Sequence, residues 1–141
     1  MRMLDVNMLV SAQRRDAEHH ETCLATVKEL LGGDEAYAVS DFVINGFVRI
    51  VTNRRIPGST TFEVARRFAD SVRNQPHAVI VHAGERHWEI FTKLCRQAGA
   101  TGKLIPDAYL AALAIEHGCE FVTCDKDFAR FEGLRWRSPL N

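Results

Sequence analysis

Apolar positions along this chain come in two patterns, short unbroken runs and longer stretches at helical spacing, and the two alternate. Met3-Leu4-Asp5-Val6 reads as a first short strand. A helix is predicted from about Asp16 to Leu31, where Gly32 and Gly33 end it. Ala36 to Val39 is a small strand or an extended lead-in. Ser40 is a good N-cap, and Val43, Phe47, Ile50 and Val51 follow at i, i+4, i+7 and i+8, one apolar stripe on a helix. Asn53 to Gly58 breaks that helix. Thr60-Thr61-Phe62-Glu63 then matches a capping box, and Thr61, Ala65, Phe68, Ala69 and Val72 keep the helical period.

Ala78 to Val81 is a β-rich run, and the stretch from Arg86 to Ala98 is predicted to bury Trp88, Phe91, Leu94 and Cys95 before Gly99 stops it. Gly102 and Pro106 punctuate a loop, after which Asp107 begins an alanine- and leucine-rich helix that Gly118 ends. Glu120 to Cys124 is a strand, and Leu134 to Arg137 adds a last edge strand. Strands alternating with helices imply an α/β fold with mainly parallel pairing and right-handed crossovers. The chain has 141 residues, without repeats, low-complexity tracts or linkers, so residues 1–141 are read as one domain.

Composition narrows the picture further. With 46% hydrophobic and 26% charged residues the chain suits a compact globular protein. Eighteen basic residues balance eighteen acidic ones, so any attraction for nucleic acid must be local. Two basic groups stand out, Arg49, Arg54 and Arg55, then Arg130, Arg135 and Arg137; scattered solvated arginines are the plain alternative. The four cysteines, at 23, 95, 119 and 124, have neither zinc-site nor disulfide-framework spacing and read as small buried hydrophobes. Asp5 interrupts the N-terminus before a signal sequence could form, and no apolar stretch reaches membrane-spanning length. A reducing cytoplasm and no membrane are expected.

In parallel sheets ligands gather at the carboxyl ends of strands, which is where the aspartates fall. Asp5 ends the first strand, and Asp125 follows the strand at Glu120 to Cys124. Asp107 faces the same rim if its helix packs back on the sheet, and Asp127 lies two residues beyond Asp125. Four such carboxylates repel one another unless a cation neutralises them. Magnesium is the economical choice, because it takes oxygen ligands, uses one or two carboxylates directly and keeps several waters. Such a site can activate a water and stabilise charge on a phosphate, which fits phosphodiester hydrolysis. Plainer roles stand beside this one: Asp107 as a helix cap, Asp125 and Asp127 as turn formers, Asn7 as an Asx-turn residue.

Taken together, these segments resemble the PIN-domain nucleases and, within them, the VapC toxins of type II toxin-antitoxin pairs. The resemblance rests on Leu4-Asp5-Val6-Asn7, Phe47-Val48-Arg49-Ile50-Val51-Thr52-Asn53, Ile105-Pro106-Asp107-Ala108-Tyr109-Leu110-Ala111-Ala112 and Val122-Thr123-Cys124-Asp125-Lys126-Asp127-Phe128, in that order. It implies a three-layer α/β/α PIN-like domain. It further implies Mg²⁺, with Mn²⁺ as substitute, at Asp5, Asp107, Asp125 and Asp127, and endonucleolytic cleavage of RNA, with transfer or ribosomal RNA as target. A VapB-type antitoxin and a toxin homodimer are implied as partners. Asn7 and Thr123 are candidates to orient the carboxylates, and Arg49, Arg54, Arg55 and Lys103 to contact RNA phosphates.

One departure matters. Many relatives carry a glutamate in the second helix just before the segment matching Phe47-Val48-Arg49, and here the place reads Asn45-Gly46. Asp41 lies more than one turn away and is no clear substitute. None of the six histidines shows metal-ligand spacing, and none is assigned a catalytic role. Two rival readings follow from the residues. An aspartate-nucleophile phosphatase would use Asp5, although its usual second aspartate is replaced here by Asn7. A catalytically weak binding module would explain the absent glutamate.

Overall fold

The computed structural model describes residues 1–140. Five short strands form one sheet in the order β3-β2-β1-β4-β5, every pair parallel. They are β1 (Arg2–Leu4), β2 (Tyr37–Val39), β3 (Ala78–Ile80), β4 (Glu120–Val122) and β5 (Trp136–Arg137). Six helices connect them: α1 (Val6–Gln13), α2 (His20–Gly32), α3 (Asp41–Val51), α4 (Phe62–Arg73), α5 (His87–Ala98) and α6 (Leu104–Glu116). The chain steps from β1 to β2 to β3 in one direction, then reverses past β1 to β4. With right-handed connections, that reversal puts α5 and α6 on the face opposite α1 to α4. It also opens a switch point between the carboxyl ends of β1 and β4.

The central strands are apolar because both faces of the sheet are covered. Met3, Leu4, Phe121 and Val122 are buried in the middle of the sheet. Helix α6 is apolar almost all round, with Ala108, Leu110, Ala111, Ala112, Leu113 and Ala114 buried. Its alanines let neighbouring backbone approach closely, which suits a helix enclosed between the sheet and α5. On α3 the stripe Val43, Phe47 and Val51 is buried as expected, whereas Ile50 is only partly covered, and Ser40 caps the helix through Phe42 N–H.

Several expectations need correction. The first strand ends at Leu4, and Val6 begins α1, an eight-residue helix absent from the sequence reading. Asp5 is its N-cap, so the aspartate sits at a strand-to-helix junction rather than inside a strand. The helix expected from Asp16 starts at His20, because Arg14 and Asp16 pair in the preceding turn. The capping residue of α4 is Thr61 rather than Thr60, and Glu63 binds Arg66 instead of closing a capping box. Helix α6 starts at Leu104, placing Pro106 in its first turn, where no N–H is required of it. Strand β4 ends at Val122 rather than Cys124, and β5 covers only Trp136 and Arg137.

The largest miss is Trp88, predicted buried but 71% exposed, while its neighbour His87 turns inward at 4%. The cysteines are all free, Cys23 and Cys119 buried and the other two partly so. No described helix is long and apolar enough to cross a membrane.

Candidate active site

Asp5 stands at the switch point between β1 and β4. Its Oδ1 accepts from Val6 N–H (2.7 Å), capping α1, and its Oδ2 accepts from Thr123 Oγ1 (2.7 Å) and Asn7 Nδ2 (3.1 Å). Thr123, fully buried just past β4, also accepts from Asn7 Nδ2 (3.1 Å) and from Asp125 N–H (3.0 Å). The Asn7 side-chain oxygen accepts from Cys124 N–H at 3.2 Å. Asn7 and Thr123 therefore tie the end of β1 to the end of β4 and fix the Asp5 carboxylate in place.

A cleft of about 740 Å³ opens above this network. Asp5, Asn7, Asp107 and Asp125 line it, together with Asn45, Arg49 and an apolar wall that includes Val6, Phe42 and Leu110. Asp107 comes from the first turn of α6 and is not its cap, since Lys103 occupies that position. Asp125 accepts from Asp127 N–H at 2.9 Å and so starts the 3-10 turn Lys126–Arg130. Its turn-forming role and its place in the cleft coexist.

Two of the carboxylates are raised above their ordinary value. Burial pushes Asp107 up to about 6, and the charges of Asp5, Asp125 and Asp127 push the same way against a smaller opposing effect from Lys103. Asp5 is also raised, chiefly by burial, despite the bonds from Thr123 and Val6 and with Asp125 adding to the rise. No cationic side chain lies within ion-pair distance of Asp5, Asp107 or Asp125 among the described residues.

The PIN-domain family model matches residues 2–134. This chain belongs to the PIN-domain family. Among curated relatives, it is 41% identical to Ribonuclease VapC25 and 42% identical to Ribonuclease VapC31, both from Mycobacterium tuberculosis, over 99% of its length and 99% and 100% of theirs. A solved structure of VapBC2 from Rickettsia felis, bound to a DNA fragment from its promoter, shares the fold. It aligns at a TM-score of 0.71 and 20% identity over 97% of both chains.

Within this PIN domain the other expected residues divide. Arg49 lines the cleft, and the Lys103 charge is felt at Asp107. Asp127 is exposed and outside the lining. It reaches the cleft through its field on Asp107, while its carboxylate lies 3.7 Å from Arg130. Arg54 and Arg55 lie exposed in the turn after α3, away from the lining. In the second basic group, Arg137 pairs with Glu120 at 2.8 Å and Arg135 binds the Gly118 carbonyl. Asp41 is bound by Arg73 (2.7 and 3.1 Å), which removes it as a stand-in for the missing glutamate.

At Asn45-Gly46 the two residues face different ways. Asn45 is exposed in the cleft, whereas a Cβ on Gly46 would come within 3.1 Å of Val6 Cγ2. Gly46 thus serves the close contact of α1 with α3 at the edge of the cleft, and Asn45 offers its side chain to the cleft.

The donors facing the cleft suit a hard divalent cation, with carboxylate and amide oxygens and neither sulfur nor imidazole. No three His, Cys, Asp or Glu side chains among the described residues stand close enough to enclose an ion. The four-aspartate cluster expected from sequence is therefore not a preformed cage. A magnesium ion needs only one or two carboxylates directly.

The sequence reading missed Phe42 and the apolar wall. Phe42 lies off the Val43, Phe47, Val51 stripe, so its exposure was the available signal.

Proposed function

We propose that this chain is a magnesium-dependent endoribonuclease, the toxin of a VapBC-type pair, which hydrolyses RNA phosphodiester bonds. The observation that carries the proposal is the group of carboxylates in the cleft, with Asp107 pushed up to about 6 and no cation within ion-pair distance of it among the described residues. The names of the VapC25 and VapC31 relatives support the ribonuclease reading, and the VapBC2 neighbour supports an antitoxin partner.

Asp5, Asp107 and Asp125 would hold the Mg²⁺, or Mn²⁺ in its place, and Asp127 adds negative charge at the rim. When bound, the ion supplies charge stabilisation at a phosphoryl oxygen and makes a water more acidic. Asn7 and Thr123 keep Asp5 oriented, and Arg49 and Lys103 would meet the phosphates. Single-stranded loops of transfer or ribosomal RNA are the preferred class, because RNA helices hide their base edges. A homodimer belongs to the same reading.

Purified protein freed of its partner should cut structured RNA with Mg²⁺ or Mn²⁺, and EDTA or Asp5→Asn should stop it. Metal-independent cutting, or unchanged cutting by the variant, would overturn the proposal. The lack of a carboxylate at Asn45-Gly46 favours one second reading, a weakly catalytic module that acts through an antitoxin or by holding RNA. Retained binding with no cutting of total RNA at any Mg²⁺ or Mn²⁺ concentration would select it.

A further inference from the structure

The cleft has an aromatic wall that the metal chemistry does not use. Phe42 sits in the first turn of α3 with its backbone N–H held by Ser40 Oγ at 3.1 Å, and the residue is 43% exposed. One side of that ring stacks on Tyr109, with centroids 4.7 Å apart and planes inclined by 22°. Tyr109 is two residues beyond Asp107 on α6. It is backed by His87 at 4.3 Å, and the His87 imidazole contacts the Tyr109 carbonyl oxygen at 3.0 Å.

Phe42 lies outside the buried stripe of α3, which Val43, Phe47 and Val51 fill. The Phe42 ring is nonetheless fixed from behind and open to a cleft that also contains the carboxylates and Arg49. We infer that Phe42, stacked on Tyr109, is a platform for an unpaired RNA base next to the phosphate bound at the carboxylates. This deepens the nuclease reading and rests on it.

The chemistry follows from the ring. A π-face accepts any of the four bases, so the platform would position a single-stranded nucleotide without choosing its identity. A paired base in an RNA helix offers no free face, so the platform also discriminates against duplex. Arg49, in the same cleft, would take the phosphate end of the nucleotide while Phe42 takes the base. Phe42 is thus a positioning residue, and its effect should fall on binding more than on turnover.

The test uses the full chain and a short single-stranded oligoribonucleotide carrying the fluorescent base 2-aminopurine. Binding is read by quenching with Ca²⁺ in place of Mg²⁺, and cleavage is read separately with Mg²⁺. Phe42→Ala should weaken binding roughly 5- to 100-fold, the contribution of one base stacked on an aromatic ring, and raise KM in step with kcat largely kept. Phe42→Trp should restore binding and quenching, whereas Phe42→Leu, apolar but without a π-face, should behave like the alanine variant. Trp88→Ala, joined to Tyr109 only through Phe91, should bind normally.

Equal affinity of Phe42→Ala and the parent chain, or rescue by leucine, would overturn the platform while leaving a demonstrated nuclease intact. A change in sedimentation of Phe42→Ala without a change in RNA affinity would assign the ring to a protein contact and also overturn it. If the parent chain cuts structured RNA but does not bind the oligonucleotide, the platform falls alone; if it cuts neither, the nuclease reading falls and the platform with it.

Discussion

Helix α6 carries one carboxylate in its first turn, Asp107, and another at its last residue, Glu116, and the two sit in opposite electrostatic settings. The helix dipole alone would favour the charge on Asp107 and disfavour that on Glu116. The structure shows the reverse. Asp107 is pushed up to about 6, by burial first and then by Asp5, Asp125 and Asp127. Burial pushes Glu116 up too, but the N–H groups of Gly84 (2.8 Å) and Arg86 (3.1 Å), together with His117 and His87, outweigh it and hold this carboxyl below its ordinary range. Neighbourhood therefore overrides helix position. Glu116 is a carboxylate that the protein satisfies, a clasp between α6 and the segment before α5. Asp107 is one that the protein leaves for something else.

The sharpest way to break this contrast is to neutralise each carboxylate in turn. Asp107→Asn should cut RNA cleavage about 10³-fold or more, since several kcal/mol of metal-mediated stabilisation is lost. The metal-free variant should nevertheless melt at a higher temperature than the parent, because an uncompensated charge is gone. Glu116→Gln should do the opposite, lowering stability by about 1–3 kcal/mol while the folded fraction keeps its activity. Paired melting curves and cleavage assays decide. An Asp107→Asn protein that is less stable, or a folded Glu116→Gln protein that is inactive, would erase the distinction.

How far the sequence revealed this depends on the end of the helix. Asp107 was legible because Pro106 and the following alanines marked a helix start, and because the other aspartates fell at strand ends. Glu116 left no mark. Its partners are about thirty residues away, and an acid at a helix C-terminus reads as an exposed charge. The fold shows the same division. Ser40 with the stripe on α3, and the apolar run of β4, carried their own punctuation. Helix α1 did not, since Asp5 both ends β1 and caps α1 and the helix is only eight residues long. Trp88 was misplaced for a third reason. Helical spacing marks a face as apolar but does not say whether the chain itself covers it.

The Glu116 clasp can be probed from the other side. A Cβ on Gly84 would fall 2.7 Å from Glu116 Oε2 and 3.2 Å from its Cδ, so the carboxylate and the loop cannot keep their present contact around an alanine. Gly84→Ala should cost about 1–3 kcal/mol, comparable to Glu116→Gln. In the double variant the two losses should fail to add, because both remove the same bonds. Full additivity in denaturant titrations would mean that Gly84 matters for another reason.

At the Asp107 end, the contrast sharpens if a carboxylate is returned to the cleft. Asn45→Glu should lower the Mg²⁺ concentration needed for half-maximal cleavage by roughly tenfold, as added ligand charge raises affinity. That corresponds to about 1.4 kcal/mol. Gly46→Glu should not, because its Cβ is directed at Val6. An unchanged Mg²⁺ requirement in Asn45→Glu would place position 45 outside the reach of the ion.

The smallest effect expected is a pH dependence that differs in sign between the two ends. Asp107 is raised from an ordinary 3.8 to about 6, so in that interval the folded chain binds more protons than the unfolded one. Its contribution to stability is therefore complete below about pH 4 and is lost as pH rises through about 6. Asp5, raised as well, acts in the same direction. Glu116 is lowered, so its contribution is present above the ordinary carboxylate range and is lost only as pH falls through its depressed value. Metal-free protein titrated from pH 7 to pH 5 should gain thermal stability. Asp107→Asn should reduce that gain and Glu116→Gln should leave it in place. Saturating Mg²⁺ should weaken or reverse the trend, because a cation favours the ionised carboxylates. A gain on acidification that survives Asp107→Asn unchanged would show that the raised carboxyl is not the source, and that the two ends of α6 differ less than their surroundings imply.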